Sequence, residues 1–315
     1  MARVAVVSGG RSLERRDSLR SGHHVQAALA ALGHDAVELD VDEGLATQLT
    51  EVDATFIALH GRDGEDGTIQ SICEALGVPY TGSGPAACEL CYTKPLAKGM
   101  LDRAGISTPD GYVVSAEAVR SMGAGASVRA AADRLGFPLI CKPAAQGSAL
   151  GLVVVTEAEE LSAAVMTAFN YGDRVLLEHL VKGTEVAVTV VGAELEALPA
   201  VEIRTPSGVF DFHARVTPGG ADLVCPAEVP ADVAAATGAL AVDACRTLGA
   251  RDFARVDMIV TDHGPCVLEV KPCPGLTETS LLTLAVDEAG LGFDGFVRTV
   301  LGLALGRSAQ SGGTA

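Results

Sequence analysis

Apolar and polar residues alternate in short blocks along the first third of the chain, and the blocks have two different periods. The runs RVAVV, DAVELDV and DATFIAL are short and apolar, which is typical of buried strands. Segments with helical apolar spacing lie between and after these runs and end at Gly33 and Gly77. The alternation of strands and helices predicts a parallel α/β domain over residues 1–95.

The pattern changes after this domain and predicts two further units. Residues 96–182 combine helical segments with the strand–loop–strand FPLICKPAAQGSALGLVVV and a later strand, RVLLEHLV. Residues 183–306 are richer in strands, namely TEVAVTVVG, ELEALPAVEI, ARVDMIVTD and PCVLEVKP, with helices DVAAATGALAVDACRTLG and TLAVDEAG. The polar tail at 307–315 is expected to be mobile.

Composition narrows the classes of function. The chain has 315 residues, of which 48% are hydrophobic, so it has enough apolar material for two or three packed subdomains. Its net charge of −17 disfavours nucleic acid as a general partner, because the phosphate backbone is repelled. No uninterrupted apolar run is long enough for a membrane span, and the first residues read as a strand and not as a signal peptide. We therefore expect a cytoplasmic protein.

The eight cysteines are scattered along the chain and suggest no disulfide framework, which fits a reducing cytoplasm. Cys88 and Cys91 form a C-x-x-C pair. A zinc site would need a second pair nearby, so the alternative is ordinary packing of two cysteines on a helix.

The segment CKPAAQGSALGL, residues 141–152, is the most informative local motif. Lys142 ends a strand, and a loop of small residues follows that would let backbone amides approach phosphate oxygens. The segment is not a Walker loop. It predicts either a phosphate-binding loop or a plain hairpin.

Arg255 and Asp257 alternate with apolar residues and therefore point to one face of a strand. A turn at TDHGP returns the chain, so that Glu269 comes opposite them. Two carboxylates and an arginine on one face predict a Mg²⁺–phosphate site. The alternative is a solvent-facing strand pair, which the apolar character of both runs disfavours.

Three weaker signals concern ligand contacts. Glu178 and Glu185 lie at the end and the start of consecutive strands. Such a connection can bind adenine through its backbone and ribose through a carboxylate, but taken alone the pattern favours a surface loop. His60 follows a strand in the glycine-rich turn HGRDGEDG, where α/β domains usually bind ligands. Glu14 follows the first strand, and it either meets a ligand amine or belongs to a solvated helix start.

These stretches, in this order, resemble the D-alanine–D-alanine ligases of the ATP-grasp superfamily, over about residues 3–305. The motifs that carry the resemblance are SGGRSLERRDSLRSG, HGRDGEDGTIQ, YTGSG, the loop that follows Lys142, and LEVKPCPGLTETS. The resemblance implies a three-subdomain ATP-grasp fold of the α/β (α+β) class. It also implies a reaction in which ATP phosphorylates one D-amino acid and the amine of a second D-amino acid attacks the acyl phosphate, supplying a peptidoglycan precursor. A homodimer is a further implication.

The resemblance also implies roles for individual residues. Lys94, Lys142 and Arg215 correspond to groups that bind ATP phosphates, Glu178 and Val181 to the adenine hinge, and Glu185 to the ribose carboxylate. Glu14, Ser148 and His60 correspond to residues around the first substrate. Arg255 and the Gly275 amide correspond to donors that stabilise the oxyanion, and Ser280 and Leu281 correspond to groups that bind the carboxylate of the second substrate. Asp257 and Glu269 correspond to magnesium ligands.

The chain departs from this pattern at the metal site. The third metal ligand of the family is an asparagine, and Lys271 stands there. An ammonium cannot ligate a metal and repels a divalent ion. Two interpretations follow: the ammonium replaces one of two magnesium charges and leaves a one-ion site, or phosphoryl transfer is crippled by about 10²–10³ in rate.

The second departure lies in the mobile loop GVFDFHARV. Phe210, Phe212 and Val216 stand where the family has tyrosines, and Val216 lacks the hydroxyl that would bond Ser148. Smaller departures near the phosphates are Thr93, Gln146 and Ala149. The sequence thus leaves three hypotheses: a D-alanine–D-alanine ligase, a related ligase or cyclase for other amino acids, and a nucleotide-binding homologue without turnover.

Overall fold

The structure is a computed structural model that describes residues 1–311, with side chains described through Arg307. The last four residues of the predicted tail at 307–315 lie outside the described part of the chain. The earlier residues of that tail are the end of the last helix.

The N-terminal domain is a parallel sheet flanked by helices. Its strands pair in the order β2-β1-β3, and both pairings are parallel. The elements are β1 (Arg3–Val7), α1 (Arg15–Ala31), β2 (Asp35–Leu39), α2 (Leu45–Leu49), β3 (Ala54–Ile57), α3 (Thr68–Leu76) and α4 (Pro85–Tyr92). The sheet therefore matches the parallel α/β domain that the hydrophobic pattern predicts.

A four-stranded antiparallel sheet with helices on one side forms the central unit. Its strand order is β4-β7-β5-β6. The elements are α5 (Lys94–Arg103), β4 (Gly111–Ser115), α6 (Ala116–Ser121), α7 (Gly125–Leu135), β5 (Leu139–Pro143), β6 (Val153–Val155), a 3₁₀ turn (Ala158–Glu160), α8 (Leu161–Phe169) and β7 (Arg174–His179). The sheet packs against α7 and α8 to form its own core, whereas α5 packs Ala97 and Leu101 into the core of the next unit.

The C-terminal unit is a larger antiparallel sheet. Its strand order is β11-β10-β8-β12-β13, and β9 pairs with β8. The elements are β8 (Thr184–Val191), β9 (Glu196–Ala197), β10 (Val201–Arg204), α9 (Phe212–Val216), β11 (Asp222–Val224), α10 (Ala231–Thr247), β12 (Phe253–Thr261), β13 (Gly264–Lys271), α11 (Leu281–Glu288) and α12 (Gly292–Ser311). The segment ELEALPAVEI, expected as one strand, contains the two short strands β9 and β10.

Helix α12 joins the two ends of the chain. Its apolar residues pack with Val25 and Leu29 of α1 and with Phe253 at the start of β12 in one continuous cluster. The N-terminal domain therefore shares a core with the C-terminal unit. Among the described residues no single helix is long and apolar enough to cross a membrane, and α11 and α12, which pass that test as a pair, are bent by 101° at their break.

The cysteines within the described residues form no disulfide. Cys88 and Cys91 lie on α4 and are buried. Among the described residues no group of three or more potential metal-binding side chains is found.

Candidate active site

A cleft of about 860 Å³, counting space open to solvent, lies between the central and C-terminal sheets. Its walls are the ends of β5 and β7, the start of β8, the middle of β12 and β13, and the loop that contains α9. Apolar side chains including Ile140, Leu150, Ile259 and Leu268 line it together with all eight residues predicted to bind nucleotide or metal, namely Lys94, Lys142, Glu178, Val181, Glu185, Arg215, Asp257 and Glu269. An apolar slot with convergent charges is the usual form of a nucleotide-sized site.

Two lysines converge on Glu178 at the end of β7. Lys142 of β5 forms an ion pair with one carboxylate oxygen, and Lys98 Nζ lies 2.6 Å from the other. Burial opposes ionisation of Glu178, but Lys142 and Lys98 outweigh it and lower the pKa of this carboxyl. Both oxygens of Glu178 are therefore occupied, and its side chain fixes Lys142 at the mouth of the small-residue loop. Sequence reasoning missed Lys98.

Strands β12 and β13 place four charged residues in two cross-strand pairs. Arg255 pairs in register with Lys271, and Asp257 pairs with Glu269. Like charges directly opposite each other on paired strands repel, so each of these four side chains needs a neighbour of opposite charge. The guanidinium of Arg255 donates to both oxygens of Asp257, at 2.6 and 2.7 Å. The predicted convergence of Arg255, Asp257 and Glu269 is therefore present in the structure.

Glu269 lies between two ammonium groups. Its Oε2 lies 3.1 Å from Lys94 Nζ, and its Oε1 lies 3.7 Å from Lys271 Nζ. Burial raises the pKa of Glu269, but Lys271, Lys94 and Lys142 outweigh burial and hold the pKa well below its ordinary value. Glu269 is therefore an ionised carboxylate that faces the cleft.

Lys271 is buried, with 8% of its surface exposed, and lies between two carboxylates. Its Nζ is 3.8 Å from Glu65 Oε2, on the glycine-rich turn of the N-terminal domain. Burial lowers the pKa of Lys271, but Glu269 and Glu65 outweigh that cost, and the pKa lies above its ordinary value. Lys271 is therefore charged at neutral pH. Sequence reasoning missed Glu65, although its position in HGRDGEDG after a strand was the available signal.

Glu14 and Ser148 meet where the N-terminal domain faces the small-residue loop. The Ser148 hydroxyl donates to Glu14 Oε1, and Glu14 Oε2 is buried without a hydrogen-bond partner among the described residues. A Cβ at Gly147 would lie 2.6 Å from Glu14 Oε2, so a glycine is required for this approach. Burial, followed by the charge of Glu65, raises the pKa of Glu14. A buried carboxylate with one oxygen left for a ligand is suited to an ammonium, whose charge would favour the ionised form.

His60 connects the N-terminal domain to the segment after β13. Its Nε2 lies 2.7 Å from the hydroxyl of Ser21, which also accepts a hydrogen bond from the Leu276 amide at 3.2 Å. His24 stacks on Phe293 and its Nδ1 lies 2.8 Å from the Leu276 carbonyl oxygen. Burial lowers the pKa of His60, so the ring is neutral at pH 7. Ser21 and His24, which sequence reasoning missed, thus fix the segment that contains Gly275.

The start of α11 provides the predicted contacts for a second carboxylate. The hydroxyl of Ser280 accepts a hydrogen bond from the Thr277 amide at 2.9 Å, which shapes the turn before the helix. The side chain of Leu281 is buried in the core beside β8 and β10, so any ligand contact there belongs to its backbone amide at the helix N-terminus.

The lid loop covers the cleft through its arginine. Arg215 lies on the one-turn helix α9 with its guanidinium 4.2 Å from the centre of the Phe210 ring, and its Nε is buried without a hydrogen-bond partner in the described protein. Burial and the neighbouring Arg255 lower its pKa, whereas Asp257 and Glu269 oppose the shift. The exposed fraction of Val216 is 56%, and Ser148 bonds to Glu14 instead of to the lid. The absence of a Val216–Ser148 link, inferred from the sequence, agrees with this geometry.

Glu185, at the start of β8, accepts a hydrogen bond from the Phe210 amide at 3.2 Å. Burial and then the charge of Asp257 raise the pKa of Glu185 to about 7. The carboxyl is thus near its titration midpoint at neutral pH.

Two family models match the chain. A D-ala D-ala ligase C-terminus model matches residues 100–302, and a D-ala D-ala ligase N-terminus model matches residues 38–83. The chain belongs to the D-alanine–D-alanine ligase family. A D-alanine–D-alanine ligase from Desulforamulus reducens is 39% identical over 96% of this chain and 98% of its own length.

Solved structures of D-alanine–D-alanine ligases agree in fold. The crystal structure of the Bacillus anthracis enzyme complexed with ATP has a TM-score of 0.84 and 28% identity, and the match covers 99% of this chain and 100% of that one. A D-Ala:D-Ser ligase from Enterococcus faecalis has a TM-score of 0.83 and 28% identity, covering 96% and 99% of the two chains. These comparisons confirm the family, the mixed α/β fold class and the ligase function that the sequence predicts.

Proposed function

We propose that this protein uses ATP to join two D-amino acids. The γ-phosphoryl group passes to the carboxylate of the first amino acid and forms an acyl phosphate and ADP. The amine of the second attacks the acyl carbon, loses a proton and expels inorganic phosphate, which leaves the dipeptide. The observation that carries the proposal is the convergence of Lys94, Lys142 and Arg215 on a cleft that is also lined by apolar side chains and by the carboxylates of Asp257 and Glu269.

The nucleotide would lie between the two sheets. Lys142 and Arg215 line the cleft and would bind the phosphates; the Nε of Arg215, which has no hydrogen-bond partner among the described residues, is a donor available for an anion. Val181 lies in the connection between β7 and β8 and would meet adenine through its backbone. Glu185 would accept from the ribose hydroxyls. Glu178 contributes by positioning Lys142, because both of its oxygens are already ion-paired.

Asp257 and Glu269 fit a magnesium ion. They are ionisable oxygen donors in register on adjacent strands, and Mg²⁺ is commonly held by one or two carboxylates together with nucleotide phosphates. When bound, the ion neutralises charge on the phosphates. Arg255 holds both oxygens of Asp257 and so sets the direction in which that carboxylate faces.

The substrates would occupy the space between Glu14 and the start of α11. Glu14 would bind the ammonium of the first amino acid, and Ser148 holds the Glu14 carboxylate in place. His60 borders this space as a neutral ring. Arg255 and the Gly275 amide would stabilise the oxyanion as the second amine attacks, and Ser280 with the Leu281 amide would bind the carboxylate of the second amino acid.

One observation favours a second candidate, in which the acceptor is not D-alanine. In the described part of the chain the Ser148 hydroxyl bonds to Glu14 and not to the lid, and Val216 is exposed. A structural relative is itself a D-Ala:D-Ser ligase, so acceptor choice varies within this fold.

The test is phosphate release from ATP and Mg²⁺ with single amino acids, with the products identified by mass spectrometry. Release and a dipeptide with D-alanine support the first candidate. Release with a different D- or L-amino acid, or a cyclic product, supports the second. Thermal stabilisation by ATP without phosphate release under any condition would contradict both and leave a nucleotide-binding homologue.

We also propose that the protein acts in the cytoplasm, supplies peptidoglycan precursor and works as a homodimer. The family relationship supports the pathway. Sedimentation analysis tests the dimer, and a monomer at working concentration would contradict it.

A further inference from the structure

The ammonium of Lys271 is a point charge held between two subdomains. Its distances of 3.8 Å to Glu65 and 3.7 Å to Glu269 are longer than direct hydrogen bonds, so the attraction is that of a buried cation between two anions. Glu65 belongs to the N-terminal domain, whereas Glu269 and Lys271 belong to β13. The same space between two carboxylates is where a divalent cation would lie.

The two oxygens of Glu269 differ in what holds them. Lys94, beside Oε2, also donates to the Gln146 carbonyl oxygen at 2.7 Å, in the small-residue loop where the phosphates are expected. A bound triphosphate offers Lys94 a stronger partner and frees Oε2. Lys271 lies 3.7 Å from Oε1 and, unlike Lys94, is not one of the described residues that line the nucleotide cleft.

Lys271 is fixed on both sides. It is the last residue of β13 and pairs in register with Arg255. Its partner Glu65 is 5% exposed and is anchored by the Gly61 amide, which donates to Glu65 Oε1 at 2.9 Å. Withdrawal of the ammonium would remove the ion-pair partner of the buried Glu65, which is unfavourable. The ammonium therefore remains when nucleotide binds.

The in-register pairs also separate the two kinds of ligand. Asp257 and Glu269 make a negative pair that attracts one cation. Arg255 and Lys271 make a positive pair two residues along the ladder, on the same face, which attracts an anion and repels a second divalent ion.

We infer that the buried ammonium of Lys271 takes the place of a second divalent ion, so that each chain binds one divalent ion with its nucleotide, at Asp257 and Glu269. This inference rests on the proposed ATP-dependent function. It selects between the two interpretations of Lys271 that the sequence leaves open: Lys271 supplies a charge that the reaction needs.

The experiment counts Mn²⁺ bound to the intact protein by electron paramagnetic resonance, in the presence of a saturating non-hydrolysable ATP analogue. We expect one Mn²⁺ per chain. In addition, raising free Mg²⁺ beyond the amount that saturates the analogue should leave the affinity for the analogue unchanged, because no second site remains to fill. Two Mn²⁺ per chain in the unaltered protein would overturn the inference, whether or not any variant folds.

Lys271→Asn supplies an oxygen donor and removes the ammonium, so we expect its Mn²⁺ count to rise from one to two. Lys182→Asn, the same change at an exposed position, is the matched control and should keep a count of one. A folded Lys271→Asn protein that binds one Mn²⁺ would overturn the inference. We also expect this variant to release phosphate no faster than the parent protein, and a gain in rate would show that Lys271 impairs the site.

The outcomes separate the inference from the function on which it rests. One Mn²⁺ per chain without turnover of any amino acid contradicts the proposed ligase and, with it, the inference that Lys271 supplies a charge to the reaction. Two Mn²⁺ per chain with turnover contradicts the inference and leaves the ligase intact. Failure to bind the analogue contradicts both.

Discussion

At the scale of single residues, the site depends on carboxylates whose ionisation is set by their neighbours. Glu14 is buried and Glu185 and Glu269 are half-buried, but Glu269 faces two ammonium groups whereas the other two have weaker compensation. The pKa of the first two is raised and that of the third is lowered. Glu269 is therefore permanently charged near neutral pH, whereas the charges of Glu14 and Glu185 depend on pH.

Ser148→Ala removes the hydroxyl that donates to Glu14. Loss of a hydrogen bond to a charged group is worth about 1.5–3 kcal/mol, so we expect kcat/KM for the first amino acid to fall about 10- to 100-fold. The bond also lowers the pKa of Glu14, so the acid limb of the pH profile should move to higher pH. Ser162→Ala, at an exposed position of α8, is the control. An unchanged acid limb would show that Ser148 does not act through Glu14.

Glu185→Gln should stabilise the protein without nucleotide above neutral pH. The pKa of Glu185 is about 7 in the folded chain against an ordinary 4.5, so the stability that comes from its protonated form is complete below about 4.5 and is lost as the pH rises through about 7. The variant should match the parent at pH 4.5 and exceed it by up to about 3 kcal/mol at pH 8 in urea unfolding. Glu159→Gln, at an exposed position, serves as the comparison. A difference that does not change with pH would contradict the assignment.

At the scale of secondary-structure elements, the hairpin β12–β13 organises the charges of the site. Its outline was predictable, because Arg255 and Asp257 alternate with apolar residues and a tight turn at 261–264 returns the chain. The exact register was not, because a register shift between Asp257 and Met258 brings Glu269 opposite Asp257. The bidentate hydrogen bond between Arg255 and Asp257 was not predictable, because an alternating strand pattern does not determine which neighbouring carboxylate an arginine binds. Glu65 escaped prediction for the same reason: it meets Lys271 through tertiary structure.

Asp257→Asn should destabilise the protein far more than an equivalent change on the surface. It breaks a pair buried on both sides and leaves Arg255 without its counter-ion, which costs about 3–5 kcal/mol. The matched control is Asp133→Asn, which breaks the exposed helical pair with Arg129 at 2.9 Å and should cost under about 1 kcal/mol. Chemical unfolding without nucleotide measures both. Similar losses in the two variants would contradict the view of Asp257 as the required partner of Arg255.

At the scale of the whole molecule, the terminal helix and one arginine hold the first and last units together. Arg307 of α12 donates to both oxygens of Asp252, at 2.6 and 2.8 Å, and to the Tyr80 carbonyl oxygen at 2.6 Å. Asp252 also accepts from the Gly82 amide at 2.8 Å. The segment that contains Tyr80 and Gly82 in the N-terminal domain, the start of β12 and the terminal helix are therefore connected through Asp252 and Arg307.

Arg307→Ala should loosen this junction. Asp252 is 4% exposed and would lose its bidentate partner, so we expect a loss of about 2–4 kcal/mol in the free energy of unfolding. Arg298→Ala, at an exposed position of the same helix, should have little effect. Equal stability of the two variants would show that Arg307 does not join the units.

The sequence predicted the parallel N-terminal sheet, the strand–loop–strand with Lys142 and the cleft residues, because each depends on local periodicity or on a recognisable motif. It did not predict that α12 returns to α1 or that α5 packs into the C-terminal core. Those contacts join segments far apart in the chain, and an apolar helix face does not specify its partner. For the same reason Lys98, Ser21 and His24 were missed.

The buried cysteines give the molecule an internal set of reporters. Cys73, Cys141 and Cys245 are fully buried in the N-terminal, central and C-terminal cores respectively. Burial raises the pKa of Cys141 and Cys245 to about 12 and that of Cys73 to about 11, so each thiol is unreactive until its surroundings open. The rate at which a thiol reagent modifies each one therefore measures the transient opening of its own subdomain, without any introduced label.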